Sequence, residues 1–464
     1  MKDNIKLDRI QVKNLFGRFN YDINLVNGYD VSILIAPNGC GKTTVFNIVN
    51  YMFDPSILSF RQIARVPFAS CECTLSNGYI LVLQRKVTKN KVSSLQKKTV
   101  RTNMSGGKLG FVDNDKFIEF SMSIKDGKRR TSIDRFIENQ LEAPYYYKDS
   151  FDEASSLFDV EDENFAKLPT HVRTRMRRSV TYFSALKEFL YQENCSLSIN
   201  YIRADRLHNQ SYPDNYYSHE IRLPNEEQDP IKLIQVKTSA LYKKITNEYN
   251  SLQQDMKDRL PKMYLQMDTN PEGMDFDTFK RRWGEYISKI EKYCEIGLLS
   301  SKQTILEMNE LEEAFTKRKA FLIVYLEAFE KTLKPLEREY KRLKLFVDIL
   351  NRRNRVTKKV MKYGEEGIVI TVGGTKLPID CLSSGEKNDF VMFYNLVFDS
   401  EKNGLVLIDE PEISLHIEWQ EEYLDRLLEI CEMNGLQAIV ATHSPNIVNG
   451  HFELYAERGL NDEG

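Results

Sequence analysis

The chain has no long apolar run. Its longest stretch of large apolar residues, Phe321 to Leu326, is six residues, against the roughly 20 that a membrane-spanning helix needs. The opening residues Met1 to Lys6 hold no apolar segment of the kind a signal peptide uses. A soluble, cytoplasmic protein with no membrane partner is therefore expected. Net charge is equally scarce: 65 Lys and Arg stand against 67 Asp and Glu, a formal −2. That balance excludes a protein that coats nucleic acid by bulk charge and leaves room only for local patches. The seven cysteines are scattered, with Cys71 and Cys73 the one close pair and no zinc-ligand spacing. An odd count without a pairing pattern fits a reducing compartment. Internal repeats and low-complexity tracts are also missing. What is present is a chain of 464 residues, 41% of them hydrophobic, which is enough to bury a sizeable core and excludes wholesale disorder. The length allows about three domains.

Apolar periodicity divides the chain into two α/β ends and a long middle. Val31 to Ile35 forms a compact apolar strand, followed by a glycine-containing turn and an expected helix from Lys42 to about Met52. Alternating segments from Cys71 to Val87 around Asn77-Gly78 predict a hairpin. Residues 85–112 then carry eight Lys or Arg and no acid. A strand is expected at Ser196 to Ile202, and residues 231–362 read as helical, punctuated near Pro261 and Pro271 and jointed or kinked at Pro335. Strand signals resume at Gly367. The expected division is 1–85 and 363–464 as two halves of one α/β head, 86–230 as an insertion with basic and Tyr-rich segments, and 231–362 as a helical arm.

The chemistry-bearing residues cluster at these two ends. Ala36-Pro37-Asn38-Gly39-Cys40-Gly41-Lys42-Thr43-Thr44 lies between an apolar strand and a helix, the context a phosphate-binding loop requires. Glycines there let backbone N–H groups from Asn38 to Thr44 approach phosphate oxygens, and the helix N-terminus adds its dipole. Lys42 is expected to neutralise the β and γ phosphates of ATP, with the Thr43 hydroxyl on Mg²⁺. Ala36 stands where such loops usually open with glycine, which a negative φ would tolerate. Leu405 to Ile408 is a second apolar strand, ending in Asp409-Glu410. Asp409 is expected to support Mg²⁺, and Glu410 to orient and deprotonate an attacking water. Leu436 to Thr442 forms a further strand with His443 at its C-terminal edge; ligands collect at such edges in open parallel sheets. Leu382-Ser383-Ser384-Gly385-Glu386 precedes an amphipathic helix and reads as a cap whose N–H groups face an anion.

In this order, the loop, the Ser-Gly segment, the Asp-Glu strand and His443 resemble the ATP-binding-cassette (ABC) ATPases. Glu410-Pro411-Glu412-Ile413-Ser414-Leu415-His416 is similar to the pattern of the SMC/OLD-like group within that class. The resemblance implies an ABC-type P-loop ATPase head with a mixed sheet and an inserted, short coiled-coil-like helical arm. It also implies that Ser384 and Gly385, in the cofactor-binding segment Ser383 to Glu386, meet the γ-phosphate held by a second copy, so that ATP drives head-to-head dimerisation or a higher oligomer. Ser414 to His416 become the loop that contacts the opposite subunit, and Gln62 and Gln84 are weak candidates for the family's Q-loop glutamine.

OLD-like proteins often carry a TOPRIM nuclease after the ATPase; only 21 residues follow His443, so none is expected within this sequence. Stand-alone ATPases of this size resemble the ATPase subunits of bacterial anti-phage systems, which implies a separate effector chain of TOPRIM type. The expected function is a slow Mg-ATPase acting as sensor and scaffold, with a RecF-like or SMC-like homodimer that clamps DNA as the alternative. Three basic stretches, 85–108, Arg173 to Arg178 and Arg352 to Lys362, are candidate contacts for a phage trigger protein or DNA. Each also reads as a solvated face paired with acidic neighbours. Tyr145, Tyr146, Tyr147, Tyr216 and Tyr217 offer base-stacking or protein contacts. Within the helical region, Leu326, Phe329, Leu333, Leu336 and Leu343 are expected to form an apolar seam.

Overall fold

The structure is a computed structural model that describes residues 5–25, 29–35, 37, 39–89, 102–105, 108–113, 116–127, 129–132, 183–204, 229–265, 274–299, 308–355, 357–413 and 415–460. The chain divides into two compact units: Met1–Arg206 with Ser211–Ile221 and Asp399–Gly464, and Leu207–Gln210 with Arg222–Phe398. Together they make a mixed α/β protein, a P-loop ATPase head with a long helical insertion. No helix among the described residues is long and apolar enough to cross a membrane.

The first unit opens with β1 (Leu7–Leu15), β2 (Phe19–Asn24), β3 (Val31–Ile35), α1 (Lys42–Phe53) and α2 (Ile57–Ala64). The strands β4 (Ser70–Leu75), β5 (Tyr79–Lys89), β6 (Thr102–Ser105), β7 (Lys108–Asp113), β8 (Lys116–Asp126), β9 (Arg129–Ser132) and β10 (Ile199–Ile202) follow. After the second unit the chain returns with β14 (Leu405–Asp409), a helix Tyr423–Asn434, β15 (Gln437–Thr442) and β16 (Glu457–Leu460). An antiparallel sheet runs in the order β16-β2-β1-β4-β5-β8-β7-β6, with β9 on β8. A parallel sheet runs β10-β14-β15-β3.

The two sheets differ as their sequences do. β1 alternates, burying Leu7, Ile10, Val12 and Leu15 with a bulge between the last two, as a strand with one face in the core should. Every residue of β14 and β15 is buried, the continuous apolar run of a strand covered on both faces. Val45, Phe46, Ile48, Val49 and Met52 of α1 belong to one apolar cluster with Ile10 and Val12 of the antiparallel sheet and with Leu34, Leu407 and Ile439 of the parallel sheet. The helix that follows the phosphate loop is thus fixed by packing against both sheets. The predicted hairpin forms as β4 and β5, with Cys73 opposite Leu81, and extends into a much wider sheet. The strand expected from Ser196 begins only at Ile199.

The second unit contains α3 (Pro230–Leu265), α4 (Phe276–Glu295), α5 (Met308–Thr332), α6 (Lys334–Arg353), the strands β11 (Val360–Gly364), β12 (Gly367–Val372) and β13 (Thr375–Leu377), and α7 (Ser384–Tyr394). Its strands form a three-stranded meander. Pro335 sits in the first turn of α6, where its missing N–H has no intrahelical partner to lose, so it marks a joint between helices. At Pro261 the expected interruption does not occur: α3 continues through it to Leu265, at a point where the residue that loses its hydrogen-bond donor, Lys257, is exposed. Pro271 lies outside the described residues. Leu326, Phe329, Leu333, Leu336 and Leu343 are all buried. They are joined by an aromatic row in which Phe279 lies 4.8 Å from Phe315, and Tyr325 4.4 Å from Phe329, between ring centroids. Gly367, with φ +82°, lets β12 approach α3 so closely that a Cβ there would fall 2.6 Å from the Gln235 carbonyl oxygen; only glycine fits.

Candidate functional site

In the parallel sheet, Ile35 of β3 pairs with Thr442 of β15, Ala441 of β15 with Asp409 of β14, and Ile408 of β14 with Ile202 of β10. The C-terminal ends of four strands therefore lie side by side. Each leads directly into a segment with polar chemistry: the phosphate loop, His443, Glu410 and Arg203.

The phosphate loop closes on Gly41, the N-cap of α1, in a left-handed conformation at φ +88°. The left-handed backbone at Gly41 favours glycine, and a Cβ there would lie 2.9 Å from both Leu15 Cδ2 and Phe16 Cε2, so those side-chain ends would have to shift. Gly39 is also left-handed, at φ +81°, but has open space around it. The Tyr21 hydroxyl donates to the Cys40 carbonyl, tying the loop to β2. Lys42 is 4% exposed, and its Nζ lies 3.4 Å from the Pro37 carbonyl oxygen, folded over the loop it belongs to. Thr44, the second helical threonine, is half-buried. Asn38, like Ala36, lies outside the described residues.

The Thr43 hydroxyl donates to Asp409 Oδ2 at 2.5 Å. Asp409 is 2% exposed. Burial raises its carboxyl above the ordinary value; the Thr43 hydrogen bond and the Lys42 charge oppose that shift, while Glu410 and Glu412 add to it. A carboxylate whose charged form is disfavoured mainly by burial, and further by acidic neighbours, is electrostatically prepared for a cation. Two hard oxygen donors in contact beside a lysine match the way Mg²⁺ is held, through one or two protein oxygens with phosphates and water completing the shell. Among the described residues no group of three or more His, Cys, Asp and Glu could hold a metal without such help. The donor set therefore fits Mg²⁺ brought with a nucleotide.

Glu410 adopts a left-handed φ of +45°, uncommon for a residue with a side chain. Its N–H donates to the Ala441 carbonyl at 2.8 Å, which pins the turn against β15. Its Oε1 lies 3.8 Å from His443 Nδ1. His443 is thus brought beside Glu410, as the strand order requires.

Sequence reasoning assigned no role to several residues that organise this edge. Glu412 is buried, and its Oε1 accepts from the Thr442 hydroxyl at 2.7 Å and from the His443 backbone N–H at 2.9 Å. The Ser444 hydroxyl donates to Gln420 Oε1 at 2.7 Å, and Gln420 Nε2 donates to the Leu415 carbonyl at 3.0 Å. The Tyr201 ring packs edge-on to Phe46, 6.0 Å between centroids. Burial, reinforced by the charge of Asp409, pushes its phenol well above the ordinary range, with Arg203 opposing. Arg203 lies over the Tyr201 ring and donates to Gln62 Oε1 at 2.9 Å, while Gln84 Oε1 accepts from Arg130 at 3.2 Å. Glu412 had a visible signal, the second acid of Glu410-Pro411-Glu412, and Gln62 and Gln84 stood as weak Q-loop candidates; the others needed the sheet register.

The Ser383 to Glu386 segment belongs to the second unit. It starts α7 with a capping box: the Glu386 N–H donates to Ser383 Oγ at 3.3 Å, and the Ser383 N–H to Glu386 Oε2 at 2.7 Å. Ser383 and Ser384 are exposed and Gly385 half-buried, so the helix N-terminus is open to solvent. Lys359 donates to Glu386 Oε2 at 2.7 Å. Arg353 pairs with Asp389 at 2.7 Å, the two side chains 8% and 3% exposed. The basic stretch Arg352 to Lys362 therefore commits two cations to holding this helix, while Arg352, Arg355, Lys358 and Lys362 stay exposed. Arg173 to Arg178, Ser414 and the five tyrosines at 145–147, 216 and 217 lie outside the described residues, as does most of 85–108.

Fold and site together define a P-loop ATPase head. The chain belongs to the AAA ATPase domain family, whose model matches residues 5–448; it is an ATP-binding protein of that ATPase family. Among solved structures it is similar to an Smc head domain with an extended coiled coil bound to the C-terminal domain of ScpA, from Pyrococcus furiosus. That match has 13% identity, 99% of this chain and 96% of the other covered, and a TM-score of 0.35. A second similar structure is an SmcHead bound to the C-winged helix domain of ScpA, at 11% identity, 98% of each chain covered and a TM-score of 0.35.

Proposed function

We propose that this chain is a slow Mg-ATPase that works as a nucleotide switch. The observation that carries the reading is the Thr43–Asp409 hydrogen bond at a strand edge that also presents Lys42, Glu410 and His443. In this reading the backbone N–H groups of Gly39 to Thr44, with Asn38, cradle the phosphates, and Lys42 neutralises the β and γ oxygens. Thr43 and Asp409 hold Mg²⁺, which when bound offsets phosphate charge. Glu410 orients the attacking water and accepts its proton, while His443 contacts the γ-phosphate side of the crevice. Ser383, Ser384, Gly385 and Glu386 act on the nucleotide of a second copy, so that ATP drives head-to-head dimerisation or a higher assembly. The exposed N-terminus of α7, held rigid by its capping box, supports that role.

We extend the reading to biological context on resemblance of motif layout. The order and spacing of these motifs in a stand-alone chain are similar to those of AriA, the ATPase subunit of the PARIS anti-phage defence system. On that footing the protein is a cytoplasmic sensor and scaffold that holds a separate TOPRIM-type nuclease and releases it when a phage protein or DNA engages a basic surface.

The test is native mass measurement of the chain co-expressed with its flanking reading frames, with and without Mg-ATP, beside a Lys42→Ala variant. A stable hetero-complex in which Lys42→Ala loses nucleotide and effector release is expected. A chain that assembles only with itself, only with ATP, and retains duplex DNA in a salt-sensitive way would replace the defence role with DNA clamping. Normal function in Lys42→Ala would refute the switch.

A further inference from the structure

Beyond the reactive groups, one buried carboxylate controls how His443 is presented. Glu412 lies two residues after Glu410 and is 8% exposed. A single oxygen, Oε1, receives the Thr442 hydroxyl at 2.7 Å and the His443 backbone N–H at 2.9 Å, and lies 3.0 Å from His443 Nδ1. Its other oxygen, Oε2, is buried without a hydrogen-bond partner among the described residues. A carboxylate arranged in this way serves its neighbours rather than a ligand: its acceptor capacity is concentrated on the end of β15.

The ring form follows from electrostatics. Nδ1 faces Glu412 Oε1 at 3.0 Å and Glu410 Oε1 at 3.8 Å. A bare lone pair on Nδ1 would be repelled by both, so these contacts favour the ring form with hydrogen on Nδ1, directed at Glu412. Nε2 is then a bare acceptor, able to take a hydrogen bond from the attacking water, on a side chain that is 43% exposed.

We propose that Glu412 is a positioning residue whose Oε1 fixes both the backbone and the Nδ1–H ring form of His443. The proposal rests on the ATPase reading above for its catalytic consequence, but not for its geometry. Through these contacts the second acid of Glu410-Pro411-Glu412 joins the loop after β14 to the end of β15, so that Glu410 and His443 keep one spacing.

The test uses the full chain labelled with ¹⁵N-histidine and long-range ¹⁵N–¹H correlation without nucleotide, with the His443 signal identified by its loss in His443→Gln. Wild type is expected to show hydrogen on Nδ1. Glu412→Leu, which keeps bulk and removes the acceptor, is expected to move it to Nε2, and Glu412→Gln, which keeps an acceptor oxygen, to retain it on Nδ1. In turnover, Glu412→Leu should lower kcat on the order of 100-fold, as a displaced catalytic group does, with KM for ATP unchanged within about twofold. Hydrogen on Nε2 in the wild type overturns the proposal even if no variant folds. So does an unchanged Nδ1–H signal in a Glu412→Leu protein that keeps the wild-type Tm. Absence of ATP turnover in the wild type would refute the ATPase reading and leave the ring measurement to decide the role of Glu412.

Discussion

Thr43 and Asp409 stand 366 positions apart in sequence and share a 2.5 Å hydrogen bond. Thr43 is the exposed second residue of α1, and Asp409 ends a fully buried strand. Their meeting places a neutral donor against a carboxylate that burial raises. In the proposed reading, Thr43 and Asp409 would supply the two oxygens that hold Mg²⁺. Thr43→Val, which keeps shape and removes the hydroxyl, is therefore expected to weaken ATP binding in Mg²⁺ by about 1.5–3 kcal/mol, the worth of a hydrogen bond to a charged group. Calorimetric titration with and without Mg²⁺ checks this, and an equal loss in both would count against a shared metal site.

Glu410 separates binding from chemistry. Glu410→Gln is expected to bind ATP with near wild-type affinity while turnover falls roughly 10²- to 10⁴-fold, the usual worth of a general base. The ATP-bound assembly should then persist in native mass spectra. Turnover within a few-fold of wild type would remove Glu410 from the reaction.

The two glycines of the phosphate loop should respond unequally to alanine. Both are left-handed, but a Cβ meets Leu15 and Phe16 at Gly41 and nothing at Gly39. Gly39→Ala then carries only the backbone cost of about 1–2 kcal/mol, and Gly41→Ala adds overpacking of about 1–3 kcal/mol. Chemical denaturation of the two variants orders them; equal losses would argue against the close approach of β1 to the loop.

Arg353 and Asp389 form a buried pair behind α7. Arg353→Met leaves Asp389 in the core with its cation removed and is expected to cost about 3–5 kcal/mol. Adding Asp389→Leu should recover much of that loss, since apolar replacement of both partners is often neutral. A double variant as unstable as the single one would show that the pair itself is worth keeping.

Acid should loosen the start of α7. Burial pushes the Glu386 carboxyl up, but the Lys359 ammonium and the Ser383 backbone N–H outweigh it, and the carboxyl sits below its ordinary value. A carboxyl depressed in the folded state binds protons less readily than in the unfolded chain. Its stabilisation is complete above the ordinary carboxylate range, near pH 4–4.5, and is lost as pH falls through the folded value. The stability difference between wild type and Glu386→Gln should therefore be flat from pH 7 to about 5.5 and shrink below about 4. A difference that grows on acidification would reverse the assignment.

Much of the head was legible because its signals are local. An apolar run that ends in Asp409-Glu410, or a glycine turn between strand and helix, dictates its own backbone, and both form where the pattern put them. Pro335 announced its joint for the same reason. The unread parts depend on partners far along the chain. Nothing near Tyr201 says that β10 pairs with β14 and brings its ring to Phe46. The hairpin at Cys71 gave no sign of the strands that flank it on both sides. Pro261 misled: α3 runs through it where Lys257, the residue that loses its donor, is exposed. Arg353 and Lys359 are paired with acids, as the reading of their stretch as a face with acidic partners expected, but which acids could not be named because Asp389 and Glu386 come some 30 residues later.

The order of the parallel sheet also sets a clock on synthesis. β3, which delivers the phosphate loop, borders only β15 in that sheet, and β15 closes at Thr442. The growing chain must therefore extend roughly 400 residues past β3 before that strand has a neighbour, about 20–80 s at 5–20 residues per second. Throughout that interval the loop is already made and tied to β2 through Tyr21, but its own strand lacks a parallel neighbour. The parallel sheet that carries the loop is thus complete only after β15 has been made.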